Sequence, residues 1–506
     1  MPQRGDKQVL GLARGGGLNL LGQLCSQLAM LLITLLLARR LGRDDVGRYA
    51  QAFALLSLLA LLSLSGLRTG LTRFVAVHLV AGRAGAVRGT VRLGVVLSGG
   101  VAALLGVALL LAAPGLARGL FHDPGLALPL QVVALVLPAA TFTDAALAAT
   151  QGFRTMKPFA LVGLVLEPLL RVGLSVALVM AGAGLRGALA ALLISSLVAA
   201  AVAAWALRRL LRRVGPAAPT FSGLRELLGF SMLSWGASLA SSGLVWADTL
   251  LIGVLRSSAE VGVYNVATRL VTLATFVMPA INGAFGPRIA NLHHRGDSDS
   301  LRRTYAVATS WILRLSLPGF VALLAFPDEL LRLFGNGFRE GAAVTAVLAV
   351  GKLADAGTGP CGLMLNMSGR PLWSTVNNLV ALVLNVALNL WLIPAHGILG
   401  AAVAWALALG TVNFARVVQV WWVMGILPFD LGVLKGMVAG AGALAAGLLA
   451  RTWVTVAAVP LTTALGLVQI VAVYLGLLVL LGIGAEDRLV LHTVLRRLRA
   501  TMAGAG

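Results

Sequence analysis

Charged residues are scarce in this chain: Lys, Arg, Asp and Glu make up 11% of its 506 residues, against roughly one quarter in soluble domains. Aromatic residues make up 6%, and the two cysteines, Cys25 and Cys361, both lie within or beside apolar segments. So few cysteines imply no disulfide framework. Polar stretches are short as well, at most about 25 residues, whereas a folded soluble domain needs roughly 50 or more. Any function must therefore reside within the apolar segments.

Apolar sequence is what the chain has in abundance: 59% of its residues are hydrophobic and the mean hydropathy is +0.93. Apolar segments of about 18 to 26 residues recur about fourteen times between residues 17 and 481. Each is long enough to cross a hydrocarbon core of roughly 30 Å as a helix. We predict an all-α membrane protein with about 14 transmembrane helices.

Positive charge lies between these segments. The formal net charge is +22, but the basic residues are distributed over loops and form no single stripe, which argues against nucleic acid as a partner. The loops on the side of the N terminus carry roughly 25 Lys and Arg, and the loops on the other side carry roughly 10. By the positive-inside rule, the side with more Lys and Arg is cytoplasmic. We predict a multi-pass protein of the inner (plasma) membrane with cytoplasmic N and C termini, whose first segment is an uncleaved anchor.

Three short patterns each occur twice, at an offset of about 215 residues. In pairs, they are Val46-Gly47-Arg48-Tyr49 and Val261-Gly262-Val263-Tyr264, Gln151-Gly152-Phe153-Arg154 and Met367-Ser368-Gly369-Arg370, and Gly184-Leu185-Arg186-Gly187-Ala188 and Gly397-Ile398-Leu399-Gly400-Ala401. Matches in the same order indicate a duplicated architecture. Because each copy has an even number of spans, the copies share one orientation, as in parallel transporter repeats. We predict six-helix bundles in 1–215 and 216–428, then two extra transmembrane helices and a basic amphipathic tail in 429–506.

Some charged side chains fall inside the apolar segments, where each costs about 3 kcal/mol and needs a partner or a purpose. Glu167 and Arg171 lie four residues apart, and Lys352 and Asp355 lie three apart. Both spacings allow an ion pair on one helix. Two alternatives remain for each pair: its two charges only neutralise each other, or the pair lines a cavity.

Three arginines, Arg269, Arg314 and Arg416, have no acidic partner close by on their own segments. A guanidinium at such a depth is stable only if it faces a water-filled cavity, a carboxylate of another helix or an anionic ligand such as phosphate. Arg416 lies near a cytoplasmic end, so its side chain can also snorkel to the headgroups. Arg269 and Arg314 lie roughly 9 to 12 Å inside their spans, and for these two we favour a cavity.

Two acidic residues, Asp144 and Asp248, also lack a local partner. Asp144 either binds a coupling proton or sodium ion or pairs with an arginine across the bundle. Asp248, which follows Trp246 near the outer end of its span, is either a similar site or an interfacial residue beside an aromatic belt. Amides on a shared helix face are typical of hydrogen bonds between membrane helices, and one segment carries three of them: Asn378, Asn385 and Asn389.

The deep charges do not follow the repeat. Apart from Arg171, the deep cations lie in the second predicted bundle, while Asp144 and Glu167 lie in the first. The sequence therefore predicts a polarised cavity between the bundles, with a cationic wall supplied mainly by the second.

Four stretches resemble the polysaccharide-biosynthesis family of lipid-linked oligosaccharide flippases: residues 258–288, 41–49, 365–370 and 394–402. This family is part of the multidrug, oligosaccharidyl-lipid and polysaccharide exporter superfamily, and the resemblance extends over nearly the full chain. It implies a MATE-like fold, with two six-helix bundles around a central cavity and two further helices.

The resemblance also implies a function. The protein would be a flippase and not an enzyme, moving a polyprenyl-pyrophosphate-linked oligosaccharide from the inner to the outer leaflet by alternating access. No catalytic residue, metal or cofactor is expected; membrane lipids, a polysaccharide polymerase and glycosyltransferases are the expected further partners. The residues we expect to bind the pyrophosphate are Arg269, Arg314, Arg171, Lys352 and Arg416. The candidates for ion coupling are Asp144, Asp248, Asp355 and Glu167.

Two related functions remain as alternatives. A cation-coupled multidrug antiporter would present an acidic and aromatic cavity to cationic drugs, whereas the deep charges here lean basic. A flippase for a lipid-linked peptidoglycan precursor would share the expected chemistry. A membrane glycosyltransferase or polymerase would need catalytic acids on a substantial outer loop, and none of the loops is long enough.

Overall fold

The structure is a computed structural model that describes residues 2–221, 223–452 and 459–482. These residues form helices and connecting turns without a strand, which confirms the predicted all-α class. The α-helices are α1 (Pro2–Leu41), α2 (Arg43–Leu64), α3 (Leu67–Val80), α4 (Ala84–Gly115), α5 (Ala127–Gly152), α6 (Glu167–Leu178), α7 (Gly184–Arg213), α8 (Leu224–Leu255), α9 (Ser258–Ala274), α10 (Val277–His294), α11 (Ser298–Ala325), α12 (Pro327–Arg332), α13 (Ala342–Thr358), α14 (Cys361–Met367), α15 (Pro371–Met424), α16 (Leu431–Arg451) and α17 (Val459–Leu480). The predicted amphipathic tail at 486–502 lies outside the described residues.

The protein is a multi-pass membrane protein. Within the described residues, ten helical stretches are long and apolar enough to cross a membrane, or eleven if the bent pair α9 and α10 is one span. Two stretches, Phe159–Arg213 and Pro371–Met424, have 55 and 54 residues, whereas one crossing needs roughly 20. The predicted count of 14 is not confirmed. The sequence prediction counts each of these long stretches as two spans and counts α13 as a span, whereas in the structure each stretch is continuous and α13 has only 17 residues.

Each long stretch is interrupted by a glycine with a non-helical backbone. Gly184 has φ 55° and ψ −140°, and Gly397, its counterpart in the predicted repeat, has φ 59° and ψ −141°. Residues with a side chain rarely adopt this conformation. The same turn at equivalent positions supports the predicted duplication.

The chain forms two compact units. The first comprises Met1–Leu273, Leu330–Gly351 and Arg370–Ala415, and the second Ala274–Glu329, Lys352–Gly369 and the chain from Arg416 onward. The division at 273 and 274 falls at the 45° bend between α9 and α10. The units cut across the predicted segments 1–215, 216–428 and 429–506, because α8 packs against α2 and α3 of the first repeat. The predicted segments reflect the duplication of the sequence, whereas the compact units reflect which helices pack together.

In the first unit, α2 and α9 cross at the two glycines of the repeated Val-Gly-x-Tyr pattern. A Cβ on Gly47 would overlap the carbonyl oxygen of Ser258 and stand 3.0 Å from the amide nitrogen of Gly262. A Cβ on Gly262 would overlap the carbonyl of Arg43 and stand 3.2 Å from the amide nitrogen of Gly47. Only glycine permits backbones to approach so closely. The duplicated motif thus makes a reciprocal contact with its own copy.

Buried side chains extend this contact into the apolar core. Val46 and Tyr49 of α2 and Val263 and Val266 of α9 belong to one buried cluster, in which they are at most 6% exposed. The two copies of the repeat therefore share a core as well as a backbone crossing.

We expect Gly47→Ala to separate α2 from α9, since the added methyl group meets backbone atoms that cannot move aside independently. Overpacking of this kind costs about 1 to 3 kcal/mol, so the midpoint of thermal unfolding in detergent should fall by several degrees. Gly99→Ala on α4 is the matched control, because no atom lies within 4 Å of its added Cβ. An unchanged midpoint for Gly47→Ala would contradict the tight crossing.

Candidate functional site

Arg171 and Glu167 form the ion pair on α6 that their spacing allows. Ser196 of α7 donates to Glu167 at 3.4 Å, and Arg171 Nε donates to Ser195 Oγ at 3.4 Å. The guanidinium carbon of Arg171 also lies 5.5 Å from the centre of the Phe53 ring, within the range of a cation–π attraction. The pair is therefore anchored to α7 and reaches α2.

Arg269 of α9 joins the same group of side chains from the second repeat. Its guanidinium carbon lies 6.0 Å from the centre of the Trp246 ring, and Trp246 makes an edge contact with Phe53 at 5.7 Å between ring centres. Tyr49, whose ring is 6.5 Å from that of Phe53, interacts electrostatically with both arginines. We call Tyr49, Phe53, Arg171, Trp246 and Arg269 the cationic cluster.

Two polar atoms of the cationic cluster are buried without a hydrogen-bond partner among the described residues: Arg269 Nε and the Tyr49 hydroxyl. Both are donors, and a buried donor without a partner costs about 1 to 3 kcal/mol. Each group can donate to an oxygen of an anion. The cluster therefore has the chemistry of an anion site, although each arginine also rests on an aromatic ring.

Asp248 of α8 occupies a second polar site in the same unit. It is 3% exposed and accepts hydrogen bonds from Tyr264 at 2.7 Å, Asn385 at 3.0 Å and Asn389 at 2.6 Å. Asp248 is therefore enclosed by protein, and its two predicted alternatives, a coupling site and an interfacial residue, stay predictions. Asn385 and Asn389 form the interhelical hydrogen bonds expected of them, and Asn378 donates to Ser241 at 2.8 Å.

The oxygens of the two amides give the Asp248 site a further property. Asn385 Oδ1 and Asn389 Oδ1 are buried with no hydrogen-bond partner among the described residues. If the amides rotate by half a turn, these oxygens face the carboxylate and the site becomes a set of oxygen ligands. Such a set suits a hard cation. As it stands, the site holds the carboxylate of Asp248 with three donors.

Asp144 of α5 stands apart from both sites. It forms no hydrogen bond or ion pair within the described residues and interacts electrostatically with Arg68 and Glu167. Its predicted role in ion coupling stays a prediction.

The remaining predicted site residues belong to the second unit. Lys352 and Asp355 form the expected ion pair at 2.7 Å. Arg314 Nε donates to the carbonyl of Gly432 in α16 at 2.9 Å, and the Arg416 guanidinium lies beside Gly362. The ligand-binding roles of Arg269, Arg314, Arg171, Lys352 and Arg416 stay predictions.

A third polar group links the two repeats where α2 and α9 begin. Arg48 binds both carboxylate oxygens of Asp123, at 2.8 and 3.0 Å, and reaches Asp45 at 3.0 Å. Ser258 of α9 donates to Asp123 at 2.6 Å and accepts from Gln51 at 2.9 Å. We call these five residues the outer cluster, since the positive-inside rule predicts that this end of α2 lies outside.

The sequence alone did not predict a binding role for the aromatic residues of the cationic cluster. Tyr49 was recognised as part of a repeated motif, but Phe53, one turn further along α2, received no role. Trp246 was interpreted as part of an aromatic belt. Aromatic residues spaced four apart next to a duplicated motif are the signal that points to them, since this spacing puts both on one helix face.

The helical fold defines a multi-pass membrane protein. A family model described as polysaccharide biosynthesis protein matches residues 12–293, and one described as MatE matches residues 234–391. The chain belongs to the polysaccharide biosynthesis protein family, within the superfamily that the sequence resemblance indicated.

Individual proteins agree with this assignment. The probable low-salt glycan biosynthesis flippase Agl15 of Haloferax volcanii is 27% identical over 191 residues, which cover 38% of this chain and 40% of that protein. The chain thus spans well under half of that relative's length in the match. Its fold is similar to a lipid II flippase, MurJ, in an inward closed conformation, with TM-score 0.69, 12% identity and coverage of 90% and 97% of the two chains. It is also similar to an inward-facing MATE family transporter, with TM-score 0.68, 16% identity and coverage of 79% and 94%. By name, these relatives are flippases and transporters and not enzymes, as the sequence predicted.

The outer cluster makes stability depend on pH through Asp123, which lies between membrane-spanning helices. Burial acts to raise the pKa of its carboxyl, but hydrogen bonds from Arg48 and Ser258 and the charge of Arg48 outweigh burial and hold this pKa below the ordinary value of 3.8. A pKa lowered by folding stabilises the folded state above the unfolded pKa. That stabilisation is lost as the pH falls through the lowered folded value.

We expect the thermal midpoint of the wild-type protein to fall as the pH drops below about 4, and this dependence to be weaker in Asp123→Asn. At neutral pH the substitution should destabilise the protein by about 1 to 3 kcal/mol, because it weakens bonds to a charged acceptor. Thermal unfolding in detergent across a pH series measures both effects. Asp44→Asn is the control, since Asp44 is an exposed carboxylate on α2, close in sequence to Arg48. Equal pH profiles for Asp123→Asn and the wild type would refute this role of the outer cluster.

Proposed function

We propose that the protein is a flippase that moves a polyprenyl-pyrophosphate-linked oligosaccharide from the inner to the outer leaflet for surface polysaccharide biosynthesis. Family membership supports a role in polysaccharide biosynthesis, and the relative named a glycan biosynthesis flippase supports a lipid-linked glycan as cargo. The observation that carries the proposal is the cationic cluster, in which Arg269 of the second repeat and Arg171 of the first both interact electrostatically with Tyr49.

Pyrophosphate fits the unmet donors of the cationic cluster. A guanidinium binds phosphate oxygens through parallel, charge-assisted hydrogen bonds, and Arg269 Nε is a buried donor without a partner among the described residues. The Tyr49 hydroxyl can donate to a third oxygen. Because Glu167 already neutralises Arg171, Arg269 supplies most of the uncompensated charge, which keeps the site attractive to an anion without binding it too tightly to release.

Alternating access then requires the repeats to part at the outer end. In the present arrangement, α2 and α9 are joined there by the glycine crossing and by the chain of bonds from Gln51 through Ser258 and Asp123 to Arg48. We propose that release of the headgroup to the outer leaflet breaks this chain. The side chains of this chain of bonds are polar, and water can take over their hydrogen bonds.

Asp248 is the best candidate for coupling transport to an ion gradient. A carboxylate, two amide oxygens and the Tyr264 hydroxyl can together bind sodium, and the carboxylate alone can bind a proton. Because Tyr264 is on α9 together with Arg269, ion binding at Asp248 and headgroup binding at the cationic cluster act on one helix. Asp144, Glu167 and Asp355 remain further candidates for this role.

The proposed setting follows from the same cargo. Polyprenyl-linked sugars are built on the cytoplasmic face, so we propose the inner (plasma) membrane as the location, with both termini in the cytoplasm as the positive-inside rule predicts. Glycosyltransferases would supply the cargo and a polymerase would consume it.

We expect Arg269→Gln to lower transport about 10- to 100-fold, since the lost bonds to a charged ligand are each worth about 1.5 to 3 kcal/mol. Arg269→Lys keeps the charge without the planar fork and should retain intermediate activity. Each variant is expressed in a strain lacking the protein, and lipid-linked repeat units and surface polysaccharide are quantified. Arg303→Gln, at an exposed arginine, is the control.

The same strains separate the alternatives. Accumulated lipid-linked repeat units with loss of surface polysaccharide support the proposed flippase. Drug hypersensitivity with normal polysaccharide would indicate a multidrug antiporter, and accumulated peptidoglycan precursor would indicate the other flippase.

Asp248→Asn tests the coupling site, and we expect this variant to lose the response of transport to an imposed gradient because the amide carries no negative charge. Purified protein is reconstituted in liposomes, and a sodium or a proton gradient is imposed separately. Asp299→Asn, at an exposed carboxylate, is the control. A variant driven by either gradient as strongly as the wild type would rule out Asp248 as the coupling group.

A further inference from the structure

A groove with no role in the proposed transport site lies along the first unit, between α7 and the segment before and within α6. Its volume is about 800 Å³, and ten of its twelve lining residues are apolar. Leu161 and Leu169 are about half exposed on one side, and Trp205 is 61% exposed on the other. The two polar residues that line it, Lys157 and Arg209, are both basic.

The helix geometry explains why this face is apolar and open. The segment Phe159–Leu166 is a π-helix that leads directly into α6, and π-helical turns often mark functional positions. Pro168 at the start of α6 lacks a backbone donor, which fits the change of helix type there. Glu167 and Arg171 turn toward α7 and the interior, so the side of this helix that faces the groove carries leucine and valine.

Basic residues concentrate at the end of the groove where α7 ends. The Arg209 guanidinium carbon lies 5.5 Å from the centre of the Trp205 ring. A second, adjoining groove of about 630 Å³ shares Trp205 and Arg209 and adds Arg208 and Arg212. Among the residues that the structure describes, no acidic side chain lines either groove. An anion at Arg209 would therefore meet positive charge on both sides.

The length of the larger groove matches one membrane leaflet. From Lys157 to Leu170 the lining segment is about 20 Å long at the α-helical rise, and somewhat shorter where it is π-helical. Half the hydrocarbon core of a bilayer is about 15 Å thick. An acyl chain that enters beside Lys157 and Arg209 would thus lie against apolar side chains over the depth of its leaflet.

We propose that this groove binds an anionic phospholipid, with one acyl chain against α6 and α7 and the phosphate held by Lys157 and Arg209. Free phosphate would leave the apolar wall unused, and a zwitterionic lipid would leave the positive charge of the adjoining grooves uncompensated. The positive-inside rule predicts that this end of α7 is cytoplasmic, where anionic lipids attract basic residues next to the membrane. The site is separate from the cationic cluster and does not depend on the proposed flippase function.

The test is native mass spectrometry of the purified full chain with phosphatidylglycerol and phosphatidylcholine of identical acyl chains. The wild type should retain phosphatidylglycerol preferentially, and Lys157→Gln/Arg209→Gln should lower its affinity for this lipid at least about tenfold. Arg83→Gln/Arg213→Gln is the matched control: it removes the same charge from exposed residues of the predicted cytoplasmic side that line neither groove.

A second variant tests the apolar wall without altering charge. Ala206 lines the groove, and Ala206→Trp should fill it and lower phosphatidylglycerol binding while the thermal midpoint shows that the protein is folded. Equal retention of the two phospholipids, or unchanged binding in a folded Lys157→Gln/Arg209→Gln protein, overturns the proposal. Preferential binding of added polyprenyl phosphate at the groove would also overturn it, since the occupant would then be the cargo lipid.

Discussion

A charge inside a membrane protein must be matched, and this constraint organises the interior of the chain. Asp248 receives three hydrogen bonds, Glu167 pairs with Arg171, and Lys352 pairs with Asp355. Arg314 donates to the backbone carbonyl of Gly432. Asp144, without a hydrogen bond or ion pair within the described residues, departs from this pattern. Arg269 departs from it as well, because its Nε has no partner among the described residues and the face of Trp246 gives only partial compensation. A buried donor without a partner destabilises the protein, so the Nε of Arg269, unpaired within the described part of the chain, indicates that the ligand carries an acceptor for it.

The duplicated motif shows how a symmetric scaffold acquires an asymmetric site. Gly47 and Gly262 have the same task, since each lets its helix approach the other's backbone. The tyrosines two residues further on have opposite surroundings. Tyr49 lies near Arg171 and Arg269, whereas Tyr264 donates to Asp248. The repeat thus places one hydroxyl beside cations and the other beside a carboxylate, and transport chemistry can differ between two halves that share a backbone.

Local spacing allowed correct predictions where the interaction itself is local. The ion pairs of α6 and α13 follow from intervals of four and three residues, because helix geometry alone brings such side chains together. The all-α class follows from the length and frequency of apolar segments. Hydropathy did not give the number of membrane crossings seen in the structure. It predicts a boundary between two spans inside stretches such as Phe159–Arg213, which are continuous in the structure. Arg269 was singled out correctly as a cation without a local partner, but its neighbours were not foreseen.

Composition and periodicity by themselves determined that this chain is a helical membrane protein with an internal duplication and a few costly buried charges. These properties depend on residue type and on the spacing of residues close together in the chain, and both can be read from the sequence. Tertiary structure alone decided that Phe53 and Trp246 connect Arg171 with Arg269, that Asn385 and Asn389 converge on Asp248, and that Asp123 ties α2 to α9. Such contacts join residues separated by up to about two hundred positions, and the packing that brings them together depends on the shapes of all the helices between them.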